Sequence, residues 1–269
     1  MKRLLRWLIG ISVISIGLLL CWAISENKAL QLHMIPIKDE QIPKAFNGYS
    51  IAHLSDLHSE EMGHRNESLL NMLRESHPDI IAITGDLLDC KDTDPTIAID
   101  FCAEAVKIAP VYYVTGNHES RFEPEFFNMV MQGLRDVGVQ ILEDEEVLLT
   151  RDGSTISLVG HQWGDTKQIG LLSNFEGFQI LLSHHPEAID DYAAGGYDLV
   201  LSGHAHGGQF RLPWIGGLIA PGQGLFPRYT SGRYQVGDTQ LVVSRGIGNS
   251  GFPLRFNNRP EVILIILEA

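Results

Sequence analysis

Ser50-Ile51-Ala52-His53-Leu54-Ser55-Asp56-Leu57-His58 is an apolar run of strand length that stops in a polar block. The same construction ends in Gly85-Asp86, Gly116-Asn117-His118-Glu119, Ser183-His184-His185 and Gly203-His204-Ala205-His206. Together the blocks offer two aspartates, an asparagine and a set of histidines, and no cysteine. Such nitrogen and oxygen donors suit hard-to-borderline divalent metals. Two adjacent metals of that kind are a tool for displacement at phosphorus.

Between the blocks, strand-length runs alternate with helical patterns. Tyr49 to Ser55, Ile80 to Thr84 and Val111 to Thr115 read as strands. Asn66 to Ser76, Thr96 to Ile108 and Pro124 to Val137 read as helices, the first with Leu69, Leu70 and Leu73 at helical spacing. This β-α-β-α-β rhythm predicts a parallel sheet with helices packed on it. After Gly138 the pattern turns to strands: Val139 to Leu142, Val147 to Thr150 and Thr155 to Val159, with Asp152-Gly153 as a hairpin turn. Gln179 to Ser183, Leu199 to Ser202, Leu241 to Ser244 and Glu261 to Leu267 follow as strands. Residues 207 to 234, rich in glycine and proline, read as a long irregular loop. One α/β domain with two facing sheets fits this order better than two separable domains.

Ligands in α/β folds collect at the carboxyl ends of strands, so five strand ends can bring five blocks to one place. Asp56 and His58 are two apart, as are His204 and His206, and in extended chain each pair points one way. Gly203 and Gly207 flank the second pair and would relieve crowding there. A single histidine at a strand end is more often a hydrogen-bonded surface residue, and an aspartate there is usually a turn former. Five blocks in one chain are poorly explained that way. His33, His64 and His77 are expected to face solvent, and His53 to be a buried or cross-strand residue. His161 and His185 stay open.

The chain has 269 residues, of which 44% are hydrophobic and 20% charged, which is globular composition. A net charge of −13 makes it a poor general binder of nucleic acid, and none is expected as partner. Between Gly207 and Pro260 the balance reverses, with Arg211, Arg228, Arg233, Arg245, Arg255 and Arg259 against Asp238 alone. Either this is a solvated surface or it is an anion-facing wall, since guanidinium suits phosphate. Cys21, Cys90 and Cys102 form no motif. Cys90 and Cys102 could pair, but read better as small buried or half-buried residues.

Leu8 to Ile24 carries no charge, follows Lys2, Arg3 and Arg6, and has Trp7 and Trp22 near its ends. It is just long enough to span a bilayer, and the basic flank would stay in the cytoplasm. An uncleaved anchor is favoured over a cleaved signal, for which Ala23-Ile24-Ser25 is an imperfect site. The chain then divides into an anchor or signal segment (1–27), a tether with an edge strand at Ile35-Pro36-Ile37 (28–48), and the catalytic domain (49–269). The expected location is the cell membrane, single-pass, with the domain outside the cytoplasm.

The series D-L-H, G-D-L-L-D, G-N-H-E, S-H-H-P and G-H-A-H-G-G-Q resembles the calcineurin-like metallophosphoesterase superfamily. The stretch Ser244-Arg245-Gly246-Ile247-Gly248-Asn249-Ser250-Gly251, with Arg255-Phe256-Asn257 and Arg259-Pro260-Glu261, resembles its membrane-associated bacterial branch of YkuE- and YaeI-like phosphodiesterases. The resemblance covers about residues 33 to 269. It implies a four-layer α/β/β/α sandwich of two facing mixed sheets. It also implies two divalent metal ions (Mn, Fe or Zn): one on Asp56, His58 and His206, the other on Asn117, His184 and His204, with Asp86 bridging. His118 would not be a ligand but would assist at the phosphate, stabilising charge or protonating the leaving oxygen. A metal-bridging hydroxide would attack phosphorus. His184 rather than His185 takes the family position after Ser183. Asp89 and Glu119 would be orienting groups or loop surface charges. Gly160-His161-Gln162-Trp163-Gly164 stands where relatives often carry an acidic pair, which leaves substrate preference open; Trp163 could stack on a ring, though a buried tryptophan is the plainer reading.

The expected substrate is a phosphoester. An amphiphilic or lipid-linked one, such as the UDP-2,3-diacylglucosamine cleaved by a pyrophosphatase of the same superfamily, is the alternative. It would suit the anchor, the arginines and a loop holding Leu218, Ile219, Leu225 and Phe226. A non-catalytic metal-binding scaffold is the alternative of another class, disfavoured because no ligand position is missing.

Overall fold

A computed structural model describes residues 2–269. The first half of the chain runs α1 (Lys2–Glu26), β1 (Gln31–Lys38), β2 (Ser50–Leu54), α2 (Glu67–Ser76), β3 (Ile80–Thr84), α3 (Thr96–Ala105), β4 (Val111–Val114), α4 (Pro124–Asp136) and β5 (Gln140–Ile141). The second half begins with β6 (Glu145–Arg151), β7 (Ser154–His161), β8 (Gln179–Ser183), α5 (Ile189–Ala194) and β9 (Leu199–Ser202). Two small hairpins follow, β10–β11 (Arg211–Leu212, Gly216–Gly217) and β12–β13 (Ile219–Ala220, Gly224–Leu225). β14 (Gly232–Val236), β15 (Thr239–Val243) and β16 (Glu261–Glu268) close the chain.

Sheet one has the order β1-β16-β2-β3-β4-β5, and β2 through β5 run parallel. Sheet two has the order β14-β15-β9-β8-β7-β6, with β15, β9, β8 and β7 parallel and antiparallel strands at both edges. Side chains alternate between faces along each strand. In sheet one Ile80 and Ala82 face sheet two, while Ile81 and Ile83 pack under α2, α3 and α4. In sheet two Ile180, Leu182, Leu199 and Leu201 face sheet one, while Leu181 and Val200 pack against α5. The result is four layers, helices on sheet on sheet on helix. Leu69, Leu70 and Leu73 of α2 are buried, as their spacing predicts, and truncating any of them to alanine costs about 2–5 kcal/mol.

The Asp152-Gly153 turn joins β6 to β7 with positive φ at both residues, the geometry that twists a two-residue hairpin correctly. β1, which holds Pro36, lies at a sheet edge. The span 207–234 is not a structureless loop, because the two small hairpins fold within it. All three cysteines are free. α1 is one continuous helix. Its stretch Arg6–Glu26 has a mean hydropathy of 2.3, long and apolar enough to cross a membrane. Its end is held to the C-terminal loops: Arg259 Nε lies 2.6 Å from Glu26 Oε1, and Asn27 donates to the Pro253 carbonyl.

Candidate metal centre

The parallel strands β2, β3 and β4 of sheet one and β8 and β9 of sheet two end at the same edge of the sandwich. Their loops converge there. Asp56, His58 and His206 bring one donor atom each within 4.8 Å of one another, and Asp86, His184 and His204 do the same. Both groups are buried. His58 Nε2 lies 3.2 Å from His206 Nε2, and His206 Nε2 lies 3.3 Å from Asp56 Oδ1. Asp86 Oδ2 faces both groups, 3.2 Å from His184 Nε2 and 3.7 Å from His58 Nε2. Asn117 is buried beside them, and its Oδ1 has no hydrogen-bond partner.

The expectation that Asp56/His58 and His204/His206 point together along extended chain is not met. Asp56, His58, Asp86, His204 and His206 all have φ between 46° and 66°, the left-handed region. The strands have ended by then, so the two-residue alternation no longer applies. Tight left-handed turns, costing about 1 kcal/mol or more per residue, aim the side chains inward instead. The expected role of Gly203 stands, since a Cβ there would lie 2.5 Å from Asp56 Oδ2. Gly207 packs against Asn258 and Arg245 rather than against the cluster.

Hydrogen bonds fix three of the donors, His184, Asp56 and Asp86. His184 Nδ1 donates to the Thr84 carbonyl at 2.6 Å, which turns Nε2 toward Asp86. His204 N–H donates to both oxygens of Asp56 (3.2 and 3.1 Å), and His118 N–H donates to Asp86 Oδ1 (2.9 Å). Burial pushes the imidazole of His58 down to about 4 and that of His204 to about 3, and holds His206 well below its ordinary value. These rings are therefore neutral, the form that binds a cation. His184 goes the other way. Burial would lower it, but Asp86 and then Asp56 outweigh burial and lift it to about 10. Burial raises Asp56 to about 6, against the pull of His184, while the histidines hold Asp86 well below the usual carboxylate range despite its burial. His184 Nε2, completely buried, faces Asp86 Oδ2 at 3.2 Å. Paired neutral imidazoles nose to nose, a buried imidazole aimed at a shared carboxylate and an unpartnered buried amide oxygen are a donor set suited to a nitrogen/oxygen metal site. The residues fit two divalent cations.

His118 stands over this cluster, 4.0 Å from Asp86 Oδ2. Its Nδ1 accepts the Cys90 N–H at 2.9 Å, which assigns the proton of the neutral ring to Nε2. Ser250 Oγ lies 3.2 Å from that Nε2, a contact sequence reasoning missed because 132 residues separate the two. Asp89 Oδ2 sits behind the ring, 3.5 Å from Nδ1. Glu119 is fully buried rather than a surface charge. It accepts the backbone N–H groups of Asp86, Gly116 and Leu88 at 2.9–3.2 Å. Burial, and then the Asp86 charge, lift its carboxyl to about 7.

His53 is buried and bonded to Thr84 Oγ1 across the sheet. His64 and His77 are exposed. His33, expected in solvent, is instead half-buried and pairs with Glu261 at 2.5 Å. His161 pairs with Asp144, and His185 stacks on Trp163 at 3.6 Å. Trp163 is half-buried, not buried, and its ring lies 5.2 Å from that of His204. Four of the six arginines are engaged within the chain. Arg245 pairs with Glu261, Arg259 with Glu26, and Arg211 donates to the Gly207 carbonyl. Arg255 is buried and donates to the carbonyls of Arg245 and Gly248.

Fold and site together place a buried cluster of imidazole and carboxylate metal donors at the strand ends of an α/β/β/α sandwich. The sequence profile described as calcineurin-like phosphoesterase matches residues 49–208, and the chain belongs to that family of phosphoester hydrolases. It is 32% identical over 256 residues to the metallophosphoesterase YkuE of Bacillus subtilis, covering 89% of this chain and 88% of that one. It is 28% identical over 196 residues to the phosphodiesterase YaeI of Escherichia coli, covering 72% of each. The crystal structure of TT1561 from Thermus thermophilus shares the fold, with a TM-score of 0.50 at 13% identity over 74% of this chain and 90% of that one.

Proposed function

We propose that the chain hydrolyses phosphodiesters at two divalent cations. Asp56, His58 and His206 hold one, Asn117, His184 and His204 hold the other, and Asp86 lies between. The reach of a single oxygen, Asp86 Oδ2, to both His184 and His58 carries this reading. The donor set suits Mn, Fe or Zn, and such a pair of cations supplies Lewis-acid polarisation of phosphoryl oxygens and an acidified water. Hydrolysis forms a bond from a water oxygen to phosphorus, breaks the bond from phosphorus to the leaving oxygen, and delivers a proton to that oxygen. The attacking water supplies that proton. His118 assists through its Nε2–H, which the Cys90 N–H on Nδ1 keeps on the side of the reacting atoms, where it donates a hydrogen bond to the charge developing on the leaving oxygen.

The same reading places the chain at a membrane through α1, with the catalytic domain outside the cytoplasm. The apolar stretch and its basic flank at Lys2, Arg3 and Arg6 support it. The test is turnover of bis-p-nitrophenyl phosphate and p-nitrophenyl phosphate with Mn²⁺. The expected result is chelator-sensitive hydrolysis, faster on the diester. No metal-dependent turnover on either by folded protein would overturn the proposal.

A further inference from the structure

Beside the metal centre lies an open pocket of about 450 Å³, within the size range of small-molecule sites. His206 forms one wall, where the cluster begins. Ser250, the neighbour of His118 Nε2, forms another. Most of the rest is apolar: Ile219, Ala220 and Pro221 from the second small hairpin, and Phe252. No Asp, Glu, Lys or Arg side chain lines it. Gln209 also borders it, but its amide nitrogen is already spent on the carbonyls of Phe252 and Leu254.

We infer that this pocket receives the hydrocarbon chain of an amphiphilic phosphoester. The inference rests on the hydrolase reading and names its substrate class. A sugar or nucleobase entering here would lose its water and find few polar partners, which costs far more than a hydrocarbon loses. Aromatic contacts connect the pocket to the anchor helix. Phe252 packs on Phe210 at 5.4 Å between ring centroids. Phe210 forms a β-bridge with Phe256, and Phe256 meets Trp22 of α1 edge-on at 4.7 Å. Leu225 and Phe226, just past the turn of the second hairpin, are 72% and 68% exposed. Half-exposed or exposed aromatic residues, Trp22, Phe256, Phe210 and Phe252, therefore lie one after another between the end of the membrane-type helix and the pocket. That is the route a chain drawn from a bilayer would follow.

The test measures binding of octylphosphonate and methylphosphonate, below micelle concentration, to the full chain in phosphatidylcholine nanodiscs loaded with Mn²⁺. Calorimetry against empty discs subtracts partitioning. Partial burial of seven extra carbons predicts octylphosphonate binding at least about thirty-fold tighter. Ile219→Ser and Phe252→Ser, both at half-exposed positions, should each cut the octyl-to-methyl ratio at least about five-fold. Equal affinities in the wild type, or a ratio that neither substitution moves, overturn the inference. Turnover of bis-p-nitrophenyl phosphate judges the hydrolase reading separately. Equal affinities with turnover sink only the pocket, and an octyl preference without turnover sinks only the hydrolase.

Discussion

The two sheets contribute unequally to the centre. Sheet one supplies both carboxylates, Asp56 and Asp86, together with His58, Asn117 and His118. Sheet two supplies His184, His204 and His206. The sheet-one loops are tied together from within, since the buried Glu119 gathers the N–H groups of Asp86, Leu88 and Gly116. Two of the sheet-two residues bond back to sheet one. His184 donates to the Thr84 carbonyl at the end of β3, and the His204 N–H bonds Asp56. One corner is a template and the other is docked on it. Damage to the template should reach both donor groups, and damage to the docked corner only one.

Asp86→Asn tests this most severely. It removes the charge that both groups share, so both cations should be lost and the rate should fall by about 10³ or more. Loss of one cation alone, read by elemental analysis, would break the comparison. Glu119→Gln comes next. It keeps the size but turns one accepting oxygen into an amide NH2 that faces buried N–H groups, so unfolding free energy should fall by about 1–3 kcal/mol and metal affinity by about 10–100-fold. The template idea requires that drop at both cations. His204→Ala should empty only the second position and keep one equivalent of metal per chain; an empty protein would show the corners to be symmetric.

The smallest effect on the site concerns the loop that closes over Asp56. Glu261 Oε1 accepts the Arg245 N–H at 2.8 Å, and its Oε2 accepts the Arg245 side chain at 2.7 and 2.9 Å. Burial would raise this carboxyl, but bonds from His33 and Arg245 outweigh burial and lower it to about 2. Its folded value lies below its unfolded value, so its contribution is complete above pH about 4.5 and is lost as pH falls toward 2. Roughly 3 kcal/mol follows from that shift. Wild type should be more stable than Glu261→Gln at pH 6, with the gap closing between pH 4.5 and 2. A gap that persists at pH 2 would mean the pairing is worth something other than charge.

Legibility in the sequence followed the same division. β3, β8 and β9 begin and end where their apolar runs do, because a strand buried on both faces is a continuous hydrophobic segment. The donor blocks stood out because metal-binding residue types cluster at those ends. Past the strand end, local pattern carries no geometry, so the left-handed turns at Asp56 and Asp86 could not be read. α5, six residues long, and the two-residue strands after Gly208 are too short for any period to register. Long-range pairs such as Arg259 with Glu26, or Ser250 with His118, join residues no local rule connects.

The central claim is that the acidic and imidazole residues bind metal while His118 does chemistry. Measuring metal content and rate together on His118→Ala tests it most directly. The account predicts two equivalents of metal per chain, as in the wild type, with turnover of bis-p-nitrophenyl phosphate down by about 10²–10⁴. Loss of a cation, or a rate within a factor of a few of wild type, would contradict it.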